Sequence, residues 1–295
     1  MIAFATIVRK PCRLFGVLAA LLLAAPMLTE EVLAQASFSD GGALEITAEE
    51  GIEWQRDEQV YLARGNAVAK RDELTVRADV LAAHYRRMEN GEERIIRVEA
   101  IGGLRVETPN ETVTGDRAIY YVDERSLRIT GRDLRLETAN EEVTATESLE
   151  YFEQAEGGQL AVARGNAVLI RLEEGERVEG DVISARFSGE GGPDRDSLQQ
   201  VEAEGDVRVT GDNVFATGDR AVYYVAEERA VLDGNVKVTR GQNQLNGARA
   251  EIDLRSGVSR LLAGEGEPVR GLLSRDEQSG EAAAPEDDTQ GEESE

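Results

Sequence analysis

The chain has 295 residues, and 33 Lys and Arg against 58 Asp and Glu give it a formal net charge of −25. Such a charge is repelled by nucleic-acid phosphates, so a nucleic-acid partner is disfavoured. Cys12 and His84 are the only cysteine and histidine, which excludes a disulfide scaffold, a Cys/His zinc site and a Ser-His-Asp or Cys-His catalytic pair. We therefore expect no catalytic residue, no metal, no cofactor and no enzymatic activity.

The N-terminus has the three-part pattern of a secretory signal peptide. Basic residues within 9–13 precede an apolar run over 14–25, and small residues within 32–34 offer a cleavage site. The run of about 12 residues is shorter than the roughly 20 that a spanning helix needs. We predict that residues 1–34 are a cleaved signal peptide and that the mature protein is exported. An uncleaved N-terminal anchor is the alternative.

The remainder of the chain repeats itself. Residues 98–106 match 201–209, and the hexapeptide Ala-Arg-Gly-Asn-Ala-Val recurs unchanged at 63–68 and 163–168. Recurrence over stretches of this length indicates a tandem duplication.

The duplication sets the expected domain organisation. We predict one folded domain over 38–273, built of two similar halves at about 45–155 and 156–265. Residues 274–295 are rich in Asp, Glu, Gly and Ala without apolar alternation, which is typical of a disordered acidic tail.

Within each half, a smaller unit is marked by a glycine between alternating apolar residues. Around Gly102 these are Val98, Ala100, Leu104 and Val106. Equivalent marker glycines are Gly65, Gly131, Gly165, Gly205 and Gly234. Alternation with a period of two is typical of a strand with one buried face. A glycine inside such a strand indicates a bend, a bulge or a closely approached backbone.

Each unit also carries a second alternating strand, which begins with an aspartate in four copies. These are Asp79, Asp116, Asp181 and Asp219. Their recurrence favours a structural role at a turn or strand start, where the carboxylate accepts backbone N–H bonds, over an acid–base pair. Two strands per unit predict an all-β fold of about a dozen or more strands.

These motifs together resemble the OstA-like, LptA-type periplasmic proteins of lipopolysaccharide transport. The resemblance rests on Gly-Asn-x-Val at 65–68 and 165–168 and on Gly-Asp-x-Ala-x-Tyr at 115–120 and 218–223, and it covers about residues 45–265. It implies an open antiparallel β-jellyroll in the periplasm that carries lipopolysaccharide from the inner to the outer membrane. The acidic tail and the greater length depart from the family pattern.

The resemblance also implies partners and a site. The partners are lipopolysaccharide, an LptC-like inner-membrane protein, an LptD-like outer-membrane protein and further copies joined head to tail. Strand edges at the two ends of an open sheet suit such a relay, because they can pair with another chain. The acyl chains of lipid A are expected in an apolar groove. The residues predicted to line it are Val98, Leu104, Val106, Leu127, Ile129, Leu169, Val201, Val207, Val209, Leu232, Val236 and Val238.

Two alternatives to this carrier remain open. Alternating residues tell only that one face is buried, so the same twelve side chains could fill the closed core of a structural repeat protein. A membrane-anchored, LptC-like relative that receives lipid from the transporter is the other alternative.

Overall fold

The structure, a computed structural model, describes residues 44–153, 158–173, 175–188, 198–253, 255–264 and 268–272. Within these ranges every regular element is a strand, and all neighbouring strands pair antiparallel in one sheet of 18 strands. The all-β prediction is therefore confirmed. The described part of the chain contains no helix long and apolar enough to span a membrane. The predicted signal peptide (1–34) and acidic tail (274–295) lie outside the described residues.

The strands follow one another along the chain and almost all pair with their sequence neighbours. They are β1 (Glu45–Thr47), β2 (Gly51–Gln55), β3 (Val60–Arg71), β4 (Leu74–Arg87), β5 (Glu93–Glu107), β6 (Glu111–Tyr121), β7 (Ser126–Thr130), β8 (Leu134–Thr138), β9 (Glu141–Ala145), β10 (Ser148–Glu153), β11 (Gln159–Arg171), β12 (Glu176–Phe187), β13 (Leu198–Gly211), β14 (Val214–Tyr224), β15 (Arg229–Arg240), β16 (Asn243–Asp253), β17 (Ser259–Leu262) and β18 (Arg270–Leu272).

The marker glycines place a bend in the middle of the long strands. At Gly205 in β13 the backbone φ is +79°, and at Asp206 it is +45°. The pairing register with β14 shifts between Glu204 and Val207 at the same point. The strands β3, β5, β11 and β15 bend in the same way at their own marker glycines. Glycine adopts the left-handed conformation without strain, so the predicted bend is confirmed at five of the six marker glycines. Gly131 lies between β7 and β8 and not inside a strand.

The recurring aspartates do not begin strands, which corrects that part of the prediction. Asp79, Asp116, Asp181 and Asp219 lie in the middle of β4, β6, β12 and β14, opposite the bends. A Cβ added to Gly205 would lie 2.2 Å from the Asp181 carboxylate. The backbone hydrogen bond expected for these aspartates occurs at Asp116, whose Oδ2 accepts from Arg132 N at 3.2 Å. Each aspartate therefore packs on a bend of the next strand.

The bends divide the sheet into two walls. The upper wall contains β2, β7, β10, β17 and the segments 60–64, 80–87, 93–101, 117–121, 159–164, 182–187, 198–204, 220–224, 229–233 and 249–253. The lower wall contains β1, β8, β9, β18 and the other segments of the long strands. We call the line of bends the spine, and the side where the two rows of turns lie the mouth.

The inner faces of both walls form one apolar core. Ile129 of the upper wall and Leu134 of the lower wall both lie against Gly115, and one cluster of buried residues includes both walls. Within the described residues, β1 and β2 pair only with β3, and β17 and β18 pair only with β16. The sheet is therefore an open antiparallel jellyroll with a free strand edge at each end.

Candidate functional site

All twelve residues predicted to line the groove lie on the inner faces. Eight are buried, namely Leu104, Val106, Leu127, Ile129, Val207, Val209, Leu232 and Val236. Four are half-buried and pack against the core, namely Val98, Leu169, Val201 and Val238. The two walls thus bring the residues of both repeats together along one continuous apolar interior.

This interior is closed to water along its middle. Val207 and Ile129 are 0% exposed, and Leu104 is 2% exposed. A guest can therefore contact these side chains only if the walls separate or if it enters from an end. That the twelve residues receive a lipid remains a prediction.

Aromatic rings line the upper side of the mouth. Tyr120, Tyr151, Phe187 and Tyr223 each lie two residues after an inner-face residue of the apolar core, and we call them the upper lip. Burial, with a smaller contribution from the Glu153 charge, raises the pKa of Tyr120 to about 12. The same two causes hold the pKa of Tyr151 above its usual range. The Tyr151 hydroxyl is buried without a hydrogen-bond partner.

Charged side chains line the lower side of the mouth. Glu111, Glu141 and Glu176 each begin a strand and share the inward face with apolar residues, and all three are 4–5% exposed. Arg171 Nη1 donates to Glu176 Oε2 at 3.0 Å. We call these four residues the lower lip. The predicted groove residues did not include them, although their phase in the alternation was a usable signal.

The charge of a lower-lip residue acts on a phenol of the upper lip. Burial is the main reason that the pKa of Tyr223 is raised, and the Glu228 charge adds to it. The positive charge of Arg171 acts in the opposite direction on the same phenol. An aromatic side chain of the upper wall is therefore within electrostatic range of a charge of the lower wall.

His84 belongs to an ion cluster on the outer face of the upper wall. Its Nε2 lies 3.4 Å from Glu99 Oε1, and Arg97 and Arg117 contact the same carboxylate. Burial and the Arg97 charge lower the His84 pKa, against the opposing effect of Glu99. The histidine is thus a member of a structural network. In the described part of the chain no group of acidic, His and Cys side chains could hold a metal ion.

The free edge strands expose apolar side chains. On β1 and β2, Ile46, Ile52 and Trp54 are 40%, 59% and 45% exposed. Trp54 stacks on Tyr61 with ring centroids 5.7 Å apart. At the other end, Leu272 of β18 is 69% exposed. Large exposed apolar groups on unpaired strand edges are suited to association with another chain.

The chain was compared with known proteins. The model of a family described as "LptA/(LptD N-terminal domain) LPS transport protein" matches residues 45–157 and 159–258. No curated protein matches the chain. A solved structure that is similar is LptH from Pseudomonas aeruginosa, described as the LptA homologous periplasmic component of the conserved lipopolysaccharide transport device. It is 17% identical, with a TM-score of 0.36, and the match covers 46% of this chain and 95% of LptH. Since the family model matches more than half of its residues, the chain belongs to the LptA/LptD N-terminal domain family of lipopolysaccharide transport, a family of lipid-transport proteins and not of enzymes.

Proposed function

We propose that the protein is a periplasmic lipid carrier that forms part of a bridge moving lipopolysaccharide from the inner to the outer membrane. The observation that carries this proposal is the continuous apolar interior between two walls that share a spine. Each acyl CH₂ in water costs about 0.8 kcal/mol, so a twelve-carbon chain costs on the order of 10 kcal/mol. An interior that offers apolar contact along its whole length removes most of that cost at every step of the path.

The length of the interior supports transfer over a distance. The sheet has fourteen bent strands when each pair of short strands, such as β1 and β2, is counted as one. Neighbouring strands lie about 4.8 Å apart, which gives a path of about 60 Å in a single chain. Transfer beyond that distance needs further carriers, and the free edges at both ends suit head-to-tail self-association and contact with LptC-like and LptD-like partners.

The proposed route for the acyl chains is between the lips. The walls are continuous through the spine, and the strand pairings of the described residues join upper segments only to upper segments and lower segments only to lower segments. Separation at the mouth therefore admits an acyl chain without breaking strand pairs. The carbohydrate and phosphate groups stay outside, because the strongly negative protein does not favour anionic groups in its interior.

Site-specific photo-crosslinking in cells tests the proposal. A photoreactive residue at Val207 or Leu104 is expected to form a lipopolysaccharide adduct. The matched controls are the neighbouring positions Arg208 and Arg105, which are exposed, and these should give none. Folded protein without any adduct at the two inner sites would favour the closed core of a structural repeat protein.

A further inference from the structure

An arginine follows each of the three marker glycines that precede an asparagine. It stands six residues after the glycine, at Arg71, Arg171 and Arg240. The two preceding residues of the same phase belong to the apolar core or pack against it in all three copies. Because strand residues two apart point to the same face, these arginines lie on the inner face of the lower wall, beside the mouth.

In the second repeat the arginine lies between two carboxylates of the lower lip. Arg171 faces Glu176 of β12 on one side and Glu141 of β9 on the other. Its Nη1 donates to Glu176 Oε2 at 3.0 Å, and both glutamates are buried. A charge at such a place requires a partner of opposite sign, and the fold itself supplies that partner to Arg171.

In the first repeat the equivalent arginine lacks both carboxylates. Arg71 faces Leu74 of β4. On its other side, the register of β1 on β3, carried one residue further, brings Leu44 beside it. Two leucines thus stand where Arg171 has two glutamates. Nη2 of Arg71 is buried, and it has no hydrogen-bond partner in the part of the chain that the structure describes.

The third arginine differs in its exposure. Arg240 faces Val214 and Asn243, and it is exposed, so water hydrates its guanidinium. Among the three arginines, Arg71 alone combines a buried, unpartnered donor with apolar neighbours on both sides.

The missing partner of Arg71 is an anion. A buried N–H donor without an acceptor is unfavourable, and folded proteins contain few of them. In the second repeat the same place is filled by carboxylates. A guanidinium also matches the oxygens of a phosphate group in two parallel, charge-assisted hydrogen bonds. A ligand that brings such a group to Arg71 removes the cost of the unpartnered donor.

The apolar surroundings favour an anion that is attached to hydrocarbon. Leu74 is 6% exposed and belongs to the core, while Leu44 is 53% exposed. A lipid headgroup at Arg71 would therefore have apolar side chains next to it for the adjoining acyl chains. A free phosphate ion would gain no such contact, and the net charge of −25 would oppose its approach.

We propose that Arg71 is an anion subsite at the lower side of the mouth, where it binds a phosphate group of the lipid headgroup while the acyl chains lie in the interior. The inference rests on the proposed function, because it assigns one headgroup contact to the same lipid path. The phosphate is held at the rim, outside the apolar core. Since β3 is the second bent strand from the N-terminal end of the sheet, the subsite recognises the headgroup near one end of the path.

Binding of two matched lipids tests the subsite. The probes are phosphorylated lipid A and the same lipid with its phosphate groups removed, each titrated into the full chain at equal detergent concentration. Arg71→Gln should weaken binding of the phosphorylated lipid about tenfold and leave binding of the other lipid unchanged. The control Lys70→Gln changes the net charge equally at an exposed neighbour and should affect neither lipid. Equal losses in the two variants would overturn the subsite, because they would indicate only long-range attraction.

A carboxylate placed beside Arg71 should close the subsite. Leu44→Glu reproduces in the first repeat the place that Glu141 has in the second, and the exposure of Leu44 keeps the change away from the core. Binding of the phosphorylated lipid should fall about tenfold. Leu44→Gln is the matched control without a charge and should bind as the wild type does. The same affinity in both variants would contradict the subsite.

Unfolding separates a ligand site from a structural role. Arg71→Gln should leave the midpoint of urea unfolding unchanged, because no internal partner of its Nη2 is lost. Arg171→Gln removes the partner of Glu176 and should lower the midpoint. An equal fall in the two variants would identify Arg71 as a structural arginine and overturn the proposal.

Inorganic phosphate distinguishes the two sources of the anion. Calorimetric titration of the lipid-free full chain with inorganic phosphate should give no binding that depends on Arg71. Binding that is present in the wild type and lost in Arg71→Gln would assign the site to free phosphate and overturn the headgroup assignment.

The outcomes separate this inference from the proposed function. If Val207 and Leu104 form lipopolysaccharide adducts but Arg71→Gln binds both lipids as the wild type does, the carrier stands and the subsite fails. If no adduct forms and the wild type binds neither lipid, the proposed function itself fails.

Discussion

The spine and the mouth hold the two walls together by different means. At the spine the backbone itself sets the geometry, because glycine φ values near +80° turn every second long strand, and at Gly102, Gly205 and Gly234 an aspartate carboxylate packs on the bend. At the mouth no strand pairing of the described residues joins the two walls, and the aromatic upper lip and the charged lower lip line its two sides. The difference indicates that the spine is the fixed side and the mouth the side able to separate. Four variants test this comparison, from the largest expected effect to the smallest.

Gly205→Ala should destabilise the protein most. The added Cβ would lie 2.2 Å from Asp181 Oδ2, at a φ of +79°. Left-handed strain and overpacking together should lower the free energy of unfolding by about 3 kcal/mol. The control is Gly241→Ala. Gly241 has a φ of +56°, and a Cβ added there would have no atom within 4 Å, so the free energy of unfolding should fall by only about 1 kcal/mol. Urea unfolding of both variants measures the difference. Equal losses of unfolding free energy in the two variants would contradict the claim that close packing fixes the spine.

Glu99→Gln removes the carboxylate at the centre of the ion cluster beside the spine. Burial of Glu99 acts to raise its pKa, but Arg117 and Arg97 outweigh it and hold the pKa below the usual range. The charged form therefore stabilises the fold above pH 4.5, and this contribution is lost as the pH falls through the lowered value. We expect a loss of about 2 kcal/mol near pH 7.

The pH profile of this variant separates charge from packing. The loss caused by Glu99→Gln should shrink as the pH falls below 4.5 and through the lowered pKa of the wild-type carboxylate, because that carboxylate then becomes protonated. Glu107→Gln is the control, since its carboxylate is 33% exposed and contacts Arg77 and Arg105, and it should cost less than about 1 kcal/mol. A loss from Glu99→Gln that is independent of pH would contradict the electrostatic account.

Glu176→Gln weakens the lower lip. The Glu176 carboxylate is 5% exposed and accepts a hydrogen bond from Arg171 at 3.0 Å. Its neutralisation should therefore lower the free energy of unfolding by about 1–2 kcal/mol. If the mouth is the separable side, binding of the apolar dye 1-anilinonaphthalene-8-sulfonate to the folded protein should increase. Gly241→Ala, matched in stability loss, should leave dye binding unchanged. Glu137→Gln, on an exposed residue paired with Arg135, is the charge-matched control.

Tyr151→Phe should have the smallest effect on the free energy of unfolding, and it should raise this free energy where the other variants lower it. Its hydroxyl is buried without a hydrogen-bond partner, so removal should be neutral or should stabilise the fold by up to about 1 kcal/mol. Tyr61→Phe is the contrast, because the Tyr61 hydroxyl donates to Glu93 at 2.8 Å and its loss should destabilise. A destabilised Tyr151→Phe protein would indicate a partner for this hydroxyl and a more firmly held upper lip.

Much of the fold is predictable because strands with one buried face have a period that a sequence displays directly. Alternation around Gly102 and Gly205 predicted both the strands and the bends, and the twelve predicted residues do face inward. The position of the recurring aspartates was predicted wrongly. A strand that bends in its middle shows the same Asp-x-Ala-x-Tyr pattern as one that begins at the aspartate.

The mouth was harder to predict from the sequence than the strands and the free edges. Inward carboxylates such as Glu176 stand where alternation predicts an apolar residue, and their burial depends on a facing wall that local sequence does not specify.

The stepwise pairing of bent strands has a consequence for how such proteins can vary in size. Each bent strand contacts little beyond its immediate neighbours, so stability accumulates approximately as a sum of local terms. Whole units can then be gained or lost without redesigning the remainder, provided that the first and last units keep their terminal shapes. Duplication of a segment of the gene lengthens the sheet of such a molecule. The two repeats of this chain are the outcome expected from one such duplication.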